Sequence, residues 1–118
     1  MSLDPLHDAA MAERGSAEAQ FALAQRYDSG QGVARDDAAA FAWYLRAARQ
    51  GHARAQFQLG LKHASGDGAR RDLLAAYAWL LQAEHAGEAE AGASLSQVAA
   101  RMNRAQLQHV AQLRAEVR

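Results

Sequence analysis

The sequence contains no cysteine, which excludes a disulfide framework, a thiolate metal site and a thiol nucleophile. Proline occurs once, as Pro5, and isoleucine and threonine do not occur at all. Strands usually need β-branched residues, whereas alanine, which is abundant here, has the highest helix propensity. The composition therefore predicts an all-α protein.

The chain also lacks an excess of either charge, because thirteen Lys and Arg residues balance thirteen Asp and Glu residues. No basic stripe of the kind that binds phosphate backbones is present, so a nucleic-acid partner is not expected. The longest uncharged apolar run, Leu73–Leu81, is far shorter than the roughly 18–20 residues that span a bilayer. The first residues do not resemble a secretory signal. We expect a cytoplasmic location, or a periplasmic or secreted one if a signal has been removed upstream.

What the sequence does contain is an internal repeat of 36 residues. Residues 15–50 and 51–86 are identical at 17 of 36 positions. Composition alone could supply the matching alanines, but it could not supply the phased Gly, Phe, Trp, Asp and Leu. Periods of this length are typical of stacked helical units.

Each unit is predicted to form two helices. In the first unit the helices run over about 16–28 and 37–50, since glycines such as Gly30 favour helix ends and Asp36 is a good N-cap. Gly51 ends the second helix, and the same signals recur 36 residues later.

Fractions of the repeat flank the two complete copies. Asp4 and Pro5 predict the start of a helix that ends near Arg14, in register with the second helix of a unit. Asn103 and Gln106 predict a capping box that opens a last helix. The result is a single domain of about seven helices over residues 1–118: an N-terminal half-repeat (4–14), repeat 1 (15–50), repeat 2 (51–86), and a partial repeat with a C-terminal capping helix (87–118).

The phased residues resemble the Sel1-like repeat, a relative of the tetratricopeptide repeats. They are Ala19-Gln20-Phe21 with Leu23, then Ser29-Gly30-x-Gly32, Arg35-Asp36 and Ala42-Trp43, together with their copies 36 residues on. Ala24 and His63 depart from the pattern that Gly60 and Tyr27 keep. The resemblance implies a right-handed α/α superhelical solenoid, of a family whose members mostly hold proteins together.

Motifs for chemistry are missing. The five histidines have none of the helical spacings that bind metals, and the glycine pairs follow helices without the Lys-Ser/Thr of a phosphate loop. Trp43 and Trp79 are predicted to pack between units, since both recur among apolar residues. We expect no catalytic residue, no metal site, no cofactor and no enzymatic activity, with a hydrolase of unknown type as the remote alternative.

A partner is expected on the first helices, which line the concave side of such a solenoid. With Leu23 as the packing direction, a step of about 100° per residue defines the positions that point away from the core. The predicted partner-binding residues are Glu18, Phe21, Gln25, Arg54, Phe57, Leu61, Glu90 and Gln97. The two phenylalanines lie near the core edge, so a packing role stays open for them.

The favoured function is that of an adaptor that binds a peptide or helix of another protein in the concave groove. A solvated face with no partner is the simpler interpretation of the same residues. The other alternative is a structural or oligomerisation unit, either a homodimer or part of a longer repeat array.

Overall fold

A computed structural model describes residues 5–116, which form seven α-helices and no strand. The helices are α1 (Pro5–Glu13), α2 (Ala17–Ser29), α3 (Asp37–Arg49), α4 (Ala53–Ser65), α5 (Leu73–His85), α6 (Ala91–Ala99) and α7 (Arg104–Glu116). The all-α prediction is confirmed. The predicted N-cap Asp4 lies outside the described residues. None of the described helices is long and apolar enough to cross a membrane.

Helices α2 and α3 form the first complete pair, and α4 and α5 form the second. The second helix of each pair is capped by aspartate: Asp36 and Asp72 each accept a hydrogen bond from a backbone N–H three residues on, at 3.0 Å. Gly30 and Gly66 end the first helices with φ of 75° and 84°, a left-handed conformation that glycine adopts without steric cost. The caps predicted from sequence are therefore present.

A side-chain amide in each first helix ties that helix to the preceding unit. Gln20 Nε2 donates to the Ala12 carbonyl at 3.1 Å, and Gln56 Nε2 donates to the Ala48 carbonyl at 3.2 Å. Both glutamines are buried. Because buried polar groups must be paired, these bonds give the motif glutamine a structural role in setting how successive units stack.

Apolar packing fills the space between the helices. Leu59 and Leu80 are fully buried, and Trp43 and Trp79 are half-buried against the clusters that join successive units. A Cβ at Gly60 would lie 2.7 Å from Leu80 Cγ, so the close approach of α4 and α5 requires glycine at this position. The tryptophans thus contribute to packing between units.

The C-terminal part departs from the repeat. Glu88 stands where Ser16 and His52 cap the earlier first helices, and α6 has no side-chain cap and begins only at Ala91. Helix α7 opens with the predicted capping box, in which the Asn103 and Gln106 side chains each accept from the other residue's backbone N–H.

Helix α7 packs across α5. Val110 is buried in the cluster that holds Leu80 and Val98, and Leu113 packs against that cluster. Arg114 Nη1 also donates to Tyr77 Oη at 2.9 Å. Helix α7 therefore covers apolar surface of the second unit.

Candidate partner-binding surface

A polar groove lies between α2, α3 and α4. It has a volume of about 460 Å³. We call it the amide groove, after the three glutamines among its lining residues, which are Gln25, Asp28, Ser29, Gln31, Tyr44 and Gln58. It therefore spans the two complete repeats, with its walls supplied by both.

One wall is fixed by a carboxylate that bridges the repeats. Asp28 Oδ2 accepts a hydrogen bond from Tyr44 Oη at 3.3 Å, and Asp28 Oδ1 pairs with the ammonium of Lys62. We call these three residues the polar trio. Burial raises the pKa of Tyr44 well above its ordinary value, and the charge and hydrogen bond of Asp28 raise it further. The hydroxyl therefore stays protonated and remains a donor to Asp28.

The three groove glutamines differ from the buried ones. Within residues 5–116 the side chains of Gln25, Gln31 and Gln58 make no hydrogen bond, and Gln25 and Gln31 are exposed. Each amide offers both donors and an acceptor. The groove thus presents unused hydrogen-bonding groups beside a wall held by the polar trio.

Most of the predicted residues near the N-terminal ends of the first helices form contacts between neighbouring repeats. Glu18 Oε1 lies 2.8 Å from His52 Nε2, while His52 Nδ1 accepts from the backbone N–H of Ala55 and so caps α4. Since Nδ1 is an acceptor there, Nε2 carries the proton and donates to Glu18. Sequence reasoning missed this capping role.

Arg54 makes the corresponding link to the third unit. Its Nη1 donates to Glu88 Oε1 at 2.8 Å and to Glu90 Oε1 at 3.1 Å. Its guanidinium also lies 5.5 Å from the centre of the Phe57 ring. Arg54 and Glu90 are therefore already paired with each other across the stack.

The remaining predicted residues are spread between core and surface. Phe57 is 5% exposed and lies in the core, which is the packing role that the sequence left open for it. Phe21 is half-buried and stacks on His52, with ring centres 4.6 Å apart. Leu61 is half-buried against the core, and Gln97 is exposed on α6. Of the predicted set, only Gln25 lines the amide groove.

The groove residues absent from the predicted set are Asp28, Ser29, Gln31, Tyr44 and Gln58. Tyr44 had a detectable signal, because the equivalent residue 36 positions on is Leu80, so the repeat exchanges a polar group for an apolar one there. Gln31 and Gln58 carry no such signal, because isolated glutamines on helices and turns are ordinary surface residues.

The described residues contain side-chain groups of the kinds that bind metal ions. No group of three or more His, Asp or Glu residues there could hold a metal ion. Half-buried His63 lies edge-on to Phe41, with ring centres 5.1 Å apart, and burial lowers its pKa although Asp72 opposes the shift. His63 thus packs between α3 and α4.

Comparison with known proteins agrees with the helix pairs and the shared motif. The family model of the Sel1 repeat matches residues 17–52 and 53–88, each of which covers one first helix and the second helix that follows it. The chain belongs to the Sel1 repeat family. Its two matched repeats begin two residues after the 36-residue periods described above.

Solved structures of Sel1 repeat proteins share the fold. A Sel1 repeat protein from Oxalobacter formigenes is 32% identical with a TM-score of 0.76, over 77% of this chain and 37% of that chain. A protective antigen present in uropathogenic Escherichia coli strains, which displays an SLR fold, is 33% identical with a TM-score of 0.80, over 86% of this chain and 22% of that chain. The chain therefore spans well under half the length of either protein. No curated protein sequence gives a significant match.

Sel1 repeats are commonly protein–protein interaction modules and are typically non-enzymatic scaffolds. In this chain, Gln25 and Gln58 lie on the first helices of consecutive repeats and both line the amide groove.

Proposed function

We propose that the chain is a protein-binding module that holds an extended peptide segment of another protein in the amide groove. The observation that carries the proposal is the set of three unpaired amides along the groove, Gln25, Gln31 and Gln58, within the described residues. An extended peptide has an unpaired N–H and C=O at each residue, and a glutamine amide can satisfy both.

The charges that line the amide groove favour recognition of a peptide's backbone over recognition of a strongly charged peptide side chain. Among the described residues that line the groove, Asp28 is the only acidic one, and its carboxylate is neutralised by the Lys62 ammonium, whose side chain is 11% exposed. The groove therefore lacks a free charge to select an acidic or basic peptide. We expect partner sequences with small polar side chains, for which backbone hydrogen bonds provide most of the affinity.

The polar trio contributes by keeping the groove wall rigid. Tyr44 is fully buried apart from its groove edge and is hydrogen-bonded to Asp28, so its position is fixed before a peptide binds. A preformed wall lowers the entropy lost on binding, which raises affinity without adding contacts. A cytoplasmic location of this binding remains a prediction.

The experiment is selection of binders from a random displayed peptide library, followed by calorimetry on the selected synthetic peptide. Replacement of Gln25 and Gln58 together by Ala should weaken its binding about tenfold or more, since each amide hydrogen bond contributes about 0.5–1.5 kcal/mol. Gln82 and Gln108, exposed on α5 and α7, provide the matched control as a second double-Ala variant.

Binding to the control variant should stay within about twofold of the unmodified chain, a difference of about 0.4 kcal/mol. Equal affinity for the Gln25/Gln58 variant and the control, or a library that yields no binder, would contradict the proposal.

A further inference from the structure

A second groove lies between α1 and α2, the first two described helices. Its volume is about 380 Å³, and it is lined by residues of both helices, among them Asp8, Met11, Ser16, Glu18, Ala19 and Ala22. We call it the end groove. It does not overlap the residues that line the amide groove. Ala19 and Met11 give it an apolar floor, and the Glu18 side chain, 85% exposed, stands at its rim.

The internal repeat shows what covers such a surface elsewhere in the molecule. Seventy-two residues on, the positions of Glu18 and Ala19 are taken by Glu90 and Ala91. Helix α4 lies against that surface: Arg54 donates to Glu90 at 3.1 Å, and Phe57, three residues later, is buried in the same cluster as Ala91. The equivalent surface is therefore recognised by a helix with a basic residue followed, three positions on, by a large apolar residue.

Helix α7 carries that pattern on its open face. Arg104 and Leu107 have the same spacing as Arg54 and Phe57, because both pairs are three residues apart. Both are exposed, and Leu107, at 43%, is one of the two large hydrophobic side chains that the described chain leaves exposed. Ala111, one turn further on, is also exposed and extends the same face.

We propose that the chain associates head to tail, with α7 of one copy seated in the end groove of a second copy. Arg104 would pair with the second copy's Glu18, and Leu107 would cover its Ala19 and Met11. Glu18 can accept this bond because only one of its two carboxylate oxygens is bound, to His52. A formal net charge of zero leaves no long-range repulsion between copies.

Such an interface joins two different surfaces, so a pair of copies still has one free end groove, on one copy, and one free α7, on the other. Assemblies of this type grow into open chains or closed rings instead of stopping at a symmetric dimer. This inference stands apart from the proposed peptide binding, which uses the amide groove. Either can fail without the other.

The test is the mass of the purified chain, measured by sedimentation velocity over a range of concentrations. The average mass should rise with concentration for the unmodified chain. Leu107→Asp places a charge on the exposed apolar face of α7, and Ala22→Arg fills the end groove. Each of these variants should stay monomeric. Circular dichroism should show that both variants retain their helices. An equimolar mixture of the two should form a dimer and nothing larger, because the mixture contains one intact surface of each kind.

Charge reversal gives a second, milder measurement. Glu18→Arg and Arg104→Glu should each lower the mass at a given concentration, and the double variant should restore it, since the pair is then reversed across the interface. A monomeric unmodified chain, a monomeric mixture, or association that survives either Leu107→Asp or Ala22→Arg alone would overturn the proposal. The last result would indicate a symmetric contact instead.

Discussion

Two junctions between units can be compared: the junction of repeats 1 and 2, and the junction of repeat 2 with the partial third repeat. Corresponding positions hold polar side chains at the first junction and apolar side chains at the second. At the first junction three corresponding positions hold the polar trio, Asp28, Tyr44 and Lys62. At the second they hold Ala64, Leu80 and Val98, which are all buried and which we call the apolar trio.

The difference separates two tasks. The apolar trio stabilises its junction by burial alone, with no requirement for partners. The polar trio needs all three members, because a buried charge without a partner is costly. In return it leaves Asp28 and Tyr44 on the wall of the amide groove. We infer that the first junction provides recognition and the second provides stability.

The largest effect should come from breaking the polar trio. Asp28→Ala leaves the nearly buried Lys62 ammonium without a carboxylate and Tyr44 without an acceptor, so the free energy of unfolding should fall by about 2–3 kcal/mol. Urea denaturation followed by circular dichroism measures the change. Glu13→Ala, which removes an exposed carboxylate on α1, should shift stability by less than about 0.5 kcal/mol. Similar losses for the two variants would show that the trio has no structural role.

Converting the first junction into the second should have a smaller effect of opposite sign. The triple change Asp28→Ala, Tyr44→Leu and Lys62→Val installs the apolar trio, and replacement of buried ion pairs by apolar residues often stabilises by about 1–2 kcal/mol. The same denaturation experiment measures the gain. The selected peptide should bind the variant more weakly, since the groove wall is changed. A variant that is less stable than the unmodified chain would contradict the interpretation of the two junctions.

The sequence alone predicted what depends on local signals. The aspartate caps and the capping box of Asn103 and Gln106 each depend on residues within a few positions of each other, and they appear in the structure. The start of α6 does not follow from the repeat, because Glu88 does not cap it as Ser16 and His52 cap the earlier first helices.

The surface was harder to predict because it is built by residues from different units. A helical wheel centred on Leu23 treats all first helices alike, but the neighbours differ: Phe57 is buried, whereas the equivalent Phe21 is half-buried and stacks on His52. Likewise, Arg54 and Glu90 were each assigned to the groove, yet they pair across 36 residues. Comparing Arg54 with its copies Glu18 and Glu90 indicates the second difference, because the charge changes sign from unit to unit. Phe21 and Phe57 are identical, so comparing the copies gives no signal for the first difference.

The junctions also differ in whether the side-chain oxygen of the motif glutamine accepts a hydrogen bond. A substitution can supply the missing donor at the second junction. Gln20 Oε1 accepts from Gln50 Nε2 at 2.9 Å, but Gln56 Oε1 is buried without a partner because the residue equivalent to Gln50 is Ala86. Gln50 and Ala86 have nearly the same backbone, with φ/ψ of −87°/3° and −81°/1°. Ala86→Gln should therefore raise the free energy of unfolding by about 1 kcal/mol.

The matched control is Ala86→Glu, which has the same length but offers only acceptors to Gln56 Oε1 when ionised. It should bring no gain in the same urea experiment. If both variants were equally stabilised, the effect would come from helix propensity or packing, and the proposed hydrogen bond would be ruled out.

The smallest effect concerns pH and compares His63 with the equivalent Tyr27. Burial lowers the pKa of His63, so protonation favours the unfolded state, whose histidine titrates near 6.5. The stabilisation from neutral His63 is thus complete above that pH and is lost as the pH falls toward the lower folded-state value. His63→Tyr removes this loss, so its Tm should fall less between pH 7 and pH 5 than that of the unmodified chain. His109→Tyr, an exposed change on α7, should keep the original slope, and matching slopes for the unmodified chain and His63→Tyr would show that acid acts on other groups.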